Sequence, residues 1–373
     1  MTSDGMRRLR VGLVGVGLIA QAEHAFYLWE ERERFELVAV ADPSAKAREG
    51  VGARYGATEL HDGIEGLVGL GLDAVVIAAP DAVHAEIALA ALDAGMHVFC
   101  EKPLALTAED CAAVADRAEA AGLVVQVGTM KRYDPSFERL LETLPDDPAD
   151  IRTVSIEITD PDFLPFVSHM PWSHGGDIDP LVGVALRAQT RAMAAAVAGR
   201  EPTDAEMTAH DGYLGCLVHN LSLVHGIAAH YGAELPLQLV SAAYWDEGRA
   251  VGMSVALPGG GRARMAHLKN AGVPDYRERM TVYCTDRIIE LLFPSPYLRH
   301  FVTSFTVRTA DGKLGLDERT IRVSYEEAFR SELRDFHTAI SGGGRVRVTA
   351  RDAAADVDLL VQAFQEAAGC RQP

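Results

Sequence analysis

The segment Val11-Gly12-Leu13-Val14-Gly15-Val16-Gly17-Leu18-Ile19-Ala20 constrains this chain more than any other. An apolar run that breaks at Gly-x-Gly-x-x-Ala and resumes as an amphipathic pattern is a strand turning sharply into a helix. Gly15 permits the tight turn, Gly17 lets backbone approach a phosphate, and Ala20 lets the helix lie close on the strand. Leu18 and Ile19 belong to the same phosphate-facing helix start. One such turn is weak on its own. The pattern that follows it makes it specific.

From residue 9 to about 127, short apolar runs alternate with amphipathic stretches. Residues 10–14, 36–41, 73–78, 97–100 and 123–127 predict strands, and residues 19–33, 45–55, 83–94 and 108–121 predict helices. Such alternation means parallel strands joined by crossover helices. Thr107, with Asp110 three residues on, is the expected cap of the last of these helices. Asp42 closes the second strand, 22 residues after Ala20. An acid there accepts hydrogen bonds from ribose hydroxyls and repels a 2′-phosphate, which favours NAD, while Lys46 and Arg48 keep NADP open. The same Asp42-Pro43-Ser44 also suits a plain helix entry with Ser44 as cap.

Beyond residue 128 the pattern changes. Asp134-Pro135 is an N-cap followed by a first-turn proline, opening a helix over 136–144. Residues 151–158 alternate polar and apolar as a strand with one wet face. Strand-like runs at 237–245, 250–257, 263–268, 278–284 and 287–293 then follow without intervening helices, which implies antiparallel pairing. Residues 181–198 and 213–230 have helical patterns. Ser324-Tyr325-Glu326-Glu327 has the form of a capping box for a helix ending at Ile340, before Gly342-Gly343-Gly344. The expected fold is thus α/β: an N-terminal Rossmann dinucleotide-binding domain over residues 1–130, followed by an α+β domain over 131–373. The second domain has a large, mostly antiparallel open sheet and a helical insertion over about 161–211, and its C-terminal helices can pack back on the first domain.

A length of 373 residues suits two domains. A net charge of −18 argues against nucleic acid or an anionic membrane as partner, and leaves a neutral small molecule such as a sugar admissible. Five cysteines without Cys-x-x-Cys spacing fit neither a disulfide framework nor a thiolate metal site. With a polar start over residues 1–10 and no run of about 18 apolar residues, the expectation is a cytoplasmic protein.

With these pieces in place, the chain resembles the glucose–fructose oxidoreductase / inositol dehydrogenase / rhizopine-catabolism (Gfo/Idh/MocA) family. The likeness rests on Gly15-Val16-Gly17-Leu18-Ile19-Ala20, Ala41-Asp42-Pro43, Pro80-Asp81-Ala82-Val83-His84-Ala85-Glu86, and Ala94-Gly95-Met96-His97-Val98-Phe99-Cys100-Glu101-Lys102-Pro103-Leu104. It is strong over residues 9–135 and looser beyond. It implies NAD(P)-dependent oxidation or reduction of a CH–OH group in a sugar, polyol or cyclitol, and a homodimer or homotetramer built through the open sheet. By this resemblance Pro80, His84 and Glu101 lie along the cofactor, and Lys102 touches both cofactor and substrate. An ammonium there would stabilise a developing alkoxide.

The family's helical Asp-x-x-x-His element is matched by Gly215-Cys216-Leu217-Val218-His219. His219 fits the acid/base histidine, but Gly215 stands at the acid's position, and Asp211 or Tyr213 is the expected substitute. Lys131, Arg132 and Tyr133 are expected to hydrogen-bond the substrate, and Trp172, beside Gly175-Gly176, to cover it. His169, His174, Asp177 and Asp179 match no metal-ligand spacing, so no metal is expected. Two alternatives stay open at this point. One is a transient-redox epimerase, eliminase or glycosidase that keeps its NAD. The other is a nucleotide-sensing regulatory protein without turnover.

Overall fold

Six strands form a parallel sheet: β1 (Leu9–Val14), β2 (Phe35–Ala41), β3 (Glu59–His61), β4 (Ala74–Ile77), β5 (His97–Glu101) and β6 (Val125–Gly128). They lie in the order β3-β2-β1-β4-β5-β6. The computed structural model from which this is read describes residues 7–370. Strands buried on both faces need continuous apolar sequence, and Ala74-Val75-Val76-Ile77 of β4 is fully buried. The direction of strand order reverses between β1 and β4. The Gly15 turn leaves β1 at that point, where open parallel sheets take ligands. The edge strand β3, Glu59-Leu60-His61, lacks an apolar run and was not expected.

Local chemistry sets the helix ends. The Ser44 hydroxyl accepts from Ala47 N at 3.0 Å and the Thr107 hydroxyl from Asp110 N at 3.1 Å, and the two helices end on the left-handed glycines Gly56 and Gly122. Val167–Thr190 and Phe329–Ala354 join residues 7–128 in this first compact unit. Within it the Ala328–Ile340 helix packs near the start of the chain. Arg334 Nη2 pairs with Glu31 Oε1 at 2.7 Å, Arg330 pairs with Glu30, and Phe336 meets Phe99 edge-on. This helix begins at Ala328, not at Ser324. The Ser324 hydroxyl instead accepts from Glu326 N at 2.9 Å, a local turn that competes with helix, so the expected capping box does not form. A capping box occurs where none was expected, between Thr203 and Glu206.

The second unit holds an eight-stranded sheet: β7 (Ile151–Asp160), β8 (Leu239–Trp245), β9 (Ala250–Ala256), β10 (Arg262–Lys269), β11 (Arg277–Cys284), β12 (Arg287–Phe293), β13 (Ser304–Asp311) and β14 (Gly315–Ile321). Its order is β14-β13-β12-β11-β7-β10-β9-β8, antiparallel throughout except between β7 and β10. The helix Val218–His230 buries Leu221, Leu223, Val224 and Ile227. His225 on it is structural: Nδ1 meets the buried Asp356 carboxylate. Among the described residues no helix is long and apolar enough to cross a membrane. No cysteine is in a disulfide.

Candidate active site

The Gly-rich turn has the geometry a pyrophosphate requires. Gly15 has φ +81°, and a β-carbon on it would stand 2.5 Å from Ala79 N, so only glycine fits. A β-carbon on Gly17 would meet nothing within 4 Å, so that side of the turn is open for close approach. Asp42 Oδ2 accepts from Val16 N at 2.9 Å, and its Oδ1 from Ser44 N at 2.8 Å. The carboxylate therefore ties the end of β2 to the turn. The ribose and helix-entry readings of Asp42 are compatible, because each oxygen keeps a lone pair for a hydroxyl. These residues fit a dinucleotide.

Glu101 ends β5 and is buried. His24 Nε2 lies 2.7 Å from its Oε1, and the Lys102 amide donates to its Oε2 at 3.2 Å. Burial would raise the pKa of Glu101, but the His24 hydrogen bond and charge, followed by the Lys102 charge and amide, hold it below the usual carboxylate range. Glu332, from the Ala328–Ile340 helix, is fully buried beside it, and neither of its oxygens has a hydrogen-bond partner among the described residues. Burial, then the nearby Glu101 and Glu23, push its pKa far up. The two carboxyl groups are thus split into one ionised and one neutral. His84, one of the residues expected along the cofactor, is a buried brace. Its Nδ1 lies 2.8 Å from Pro103 O and its Nε2 2.7 Å from Ala79 O, joining the end of β4 to the Glu101-Lys102-Pro103 turn. The Lys102–Pro103 peptide is cis.

The second unit gathers a different polar cluster. Glu278 on β11 is buried, and its carboxylate receives the Lys131 ammonium, the Tyr276 hydroxyl and, at 3.2 Å, Asn220 Nδ2. Beside it, Asp160 at the end of β7 and Cys216 flank His267 on β10. Burial opposes charge on His267, but hydrogen bonds to Asp160 and Cys216 outweigh it and push the pKa up to about 10. The Asp160, Cys216 and His267 ligand atoms lie within 4.8 Å of one another, as do those of His24, Glu101 and Glu332. In this hydrogen-bonded arrangement His267 is the donor and Asp160 and Cys216 are its partners. His219 is half-buried on the Val218–His230 helix. One turn before it the chain is a π-helix, Gly212–Leu217, and Asp211 Oδ1 lies 3.0 Å from where a Gly215 β-carbon would stand. The missing side chain at 215 thus makes room for a carboxylate from 211.

Residues 9–129 match the model of an oxidoreductase family with an NAD-binding Rossmann fold, the Gfo/Idh/MocA family. Over this third of the chain the sequence is similar to that family. Inositol 2-dehydrogenase 3 of Saccharopolyspora erythraea is 38% identical over 135 residues, which span 36% of this chain and 40% of that protein. Inositol 2-dehydrogenase of Salmonella typhimurium is 36% identical over 135 residues, spanning 35% and 40%. The chain thus matches about two-fifths of the length of these relatives. Two solved structures share the fold over nearly the whole chain. UDP-N-acetylglucosamine 3-dehydrogenase GnnA from Acidithiobacillus ferrooxidans has a TM-score of 0.70 at 20% identity, covering 98% of this chain and 100% of that one. Myo-inositol 2-dehydrogenase from Lactobacillus plantarum has a TM-score of 0.70 at 18% identity, covering 97% of each.

In the Rossmann unit the turn glycines follow β1, Asp42 follows β2, and Glu101 ends β5 with Lys102 directly after it. Some expectations about the site need correction. Tyr213 is fully buried, and its hydroxyl donates to Ala243 O at 2.8 Å and Gly252 O at 3.1 Å, so it is a packing residue and not a substrate contact. Tyr133 is likewise in the core. Arg132 Nη1 donates to Ser222 O at 2.9 Å. Trp172 lies in the segment that joins the Rossmann unit, with its ring 3.9 Å from that of His174. Sequence reasoning overlooked His24, Glu278 and Glu332. A signal existed for two of them: Glu278 shares the buried face of β11 with Met280 and Val282, and Glu332 shares a helical face with Phe329, Leu333 and Phe336. A charge on an apolar stripe needs a partner or a function.

Proposed function

We propose that this protein is an NAD-dependent dehydrogenase acting on a CH–OH carbon of a sugar, cyclitol or related metabolite. The observation that carries this reading is the Glu101-Lys102-Pro103 turn, held at the end of β5 by His24 and His84 in the same sheet as the Gly15 turn. The inositol 2-dehydrogenase relatives support the substrate class. Bound NAD supplies the hydride acceptor. The Gly15–Gly17 turn holds the pyrophosphate, and Asp42 accepts from the adenosine ribose. The Lys102 ammonium holds the reacting oxygen and stabilises it as its proton leaves. His219 is the proposed acid/base histidine, with Asp211 as the acid nearest the position vacated at 215. Lys131, fixed by Glu278, belongs to the substrate side.

The first unit is then the cofactor domain, and the second serves substrate binding and oligomerisation. We assign a homodimer or homotetramer through the open sheet, where Trp245, Leu268, Tyr283 and Leu292 are exposed. We assign the cytoplasm as its compartment, since five cysteines outside any disulfide suit a reducing one. The decisive experiment follows absorbance of reduced nicotinamide with NAD and a panel of cyclitols and sugars. Steady reduction that Lys102→Ala abolishes is the expected result. Tight NAD binding with no reduction on any substrate would overturn the dehydrogenase reading in favour of transient-redox chemistry.

A further inference from the structure

The inserted segment around residues 172–178 is bound to the Rossmann unit at two places. Gln21 grips Ser173 with both amide atoms: Ser173 N donates to Oε1 at 2.8 Å, and Nε2 donates to Ser173 O at 2.9 Å. The same Nε2 donates to Val16 O in the Gly-rich turn at 2.7 Å. A β-carbon on Gly50 would fall 1.9 Å from Ser173 Oγ, so the bare backbone at 50 is what admits the segment. Farther along, the Asp177 carboxylate receives the Ser44 hydroxyl and, at 3.1 Å, the amide of Lys46.

The second contact bears on cofactor choice. Ser44 caps the Ala45–Tyr55 helix, and Lys46 N is one of the free donors in its first turn. Such a helix start, just after the β2 acid, is a ready anion site and the natural seat of a 2′-phosphate. In this chain a side chain already fills it. The two hydrogen bonds, Ser44 first, also hold the Asp177 carboxyl below its ordinary range, so it is charged at neutral pH. Ser44 stands between two carboxylates, with Asp42 accepting from its amide and Asp177 from its hydroxyl. The Arg48 guanidinium keeps its charge, but its Nη1 donates to Asp42 O at 2.9 Å and to Pro43 O at 3.3 Å, so those hydrogen bonds go to backbone.

We propose that Asp177 is a specificity-determining residue: it occupies the anion position at the start of the Ala45–Tyr55 helix, and so excludes NADP while leaving room for the ribose hydroxyls of NAD. The proposal rests on the NAD-binding reading of this unit, and adds a second carboxylate supplied from outside the Rossmann sequence pattern.

The test is titration of NADH and NADPH by nicotinamide fluorescence against the full chain, Asp177→Asn and Asp177→Ala, with circular dichroism confirming folding. Asp177 is exposed, so neither substitution disturbs the core. Wild type is expected to prefer NADH. Both variants should tighten NADPH about tenfold, as removing a nearby like charge predicts, while NADH changes less than about threefold. Adenosine 2′-phosphate, used as a competitor, should gain affinity in the variants and adenosine 5′-phosphate should not. An unchanged NADH/NADPH ratio in both variants, or an equal gain for both dinucleotides, overturns the role of Asp177. Failure of wild type to bind either dinucleotide overturns the NAD reading as well, and is distinguishable because no ratio then exists.

Discussion

Each unit of this protein buries a glutamate against a cation-forming side chain, and the two pairs are built differently. In the Rossmann unit Glu101 meets His24, and its other oxygen takes the amide of the next residue, so half its support is local. In the second unit Glu278 on β11 is held by Lys131 from the segment after β6, by Asn220 from a helix and by the nearby Tyr276. The first arrangement leaves its trace in a contiguous motif. The second is an assembly of distant segments, each unremarkable in sequence. The comparison teaches that a site anchored by backbone geometry is legible, whereas one anchored by side chains across a sheet is not.

The largest expected effect separates chemistry from support. Lys102→Ala should lower kcat by about 10²–10³-fold, with unfolding stability nearly unchanged, as steady-state kinetics and denaturant melts would show. Lys131→Met should do the reverse first: it leaves Glu278 charged and buried, at a cost of about 3–5 kcal/mol in urea unfolding. Equal loss of stability in both variants would erase the contrast. Gly15→Ala, which forces a β-carbon against Ala79 N at φ +81°, should cost about 1–3 kcal/mol and abolish NADH binding.

The pH dependence sharpens the comparison further. His267 is raised from 6.5 to about 10 on folding, so the folded state holds its proton more tightly. Its stabilisation is complete below pH 6.5 and is lost as pH rises through 10. His267→Gln should therefore flatten the fall in Tm across that window. Glu332 has the same sign in the first unit, since its neutral form is the folded one, but its stabilisation begins to fade at about pH 4.5, the ordinary glutamate value. The smallest effect belongs to the surface: Arg308→Ala removes a partly exposed pair with Glu318 on β13 and β14, and should change stability by no more than about 1 kcal/mol.

Much of the first unit was readable because its demands are local. Gly15, Ala20, Ser44 and Thr107 each satisfy a steric or hydrogen-bond requirement of their immediate neighbours. The helix over Ala45–Tyr55 and the one over Ala108–Ala121 fall on the residues their caps announced. Misreadings arose where a local signal had two outcomes. Ser324 had the spacing of a helix cap but closes a turn, and Tyr213 had a hydroxyl free to bind substrate but gives it to two carbonyls. The strands β13 and β14 were missed because a polar edge hairpin carries little apolar pattern: most of Gly315–Ile321 is exposed.

The amino-acid sequence by itself determined the parallel sheet, its phosphate-facing turn and the Glu101-Lys102 pair, since each follows from residue type and spacing along a few turns of chain. Tertiary structure alone decided which charges are buried together. Glu332 lies 231 residues from Glu101, and Asp177 lies 133 from Ser44, as their numbers show. Electrostatic energy depends on distance through space and on exclusion of water, and neither quantity is written in the order of the residues.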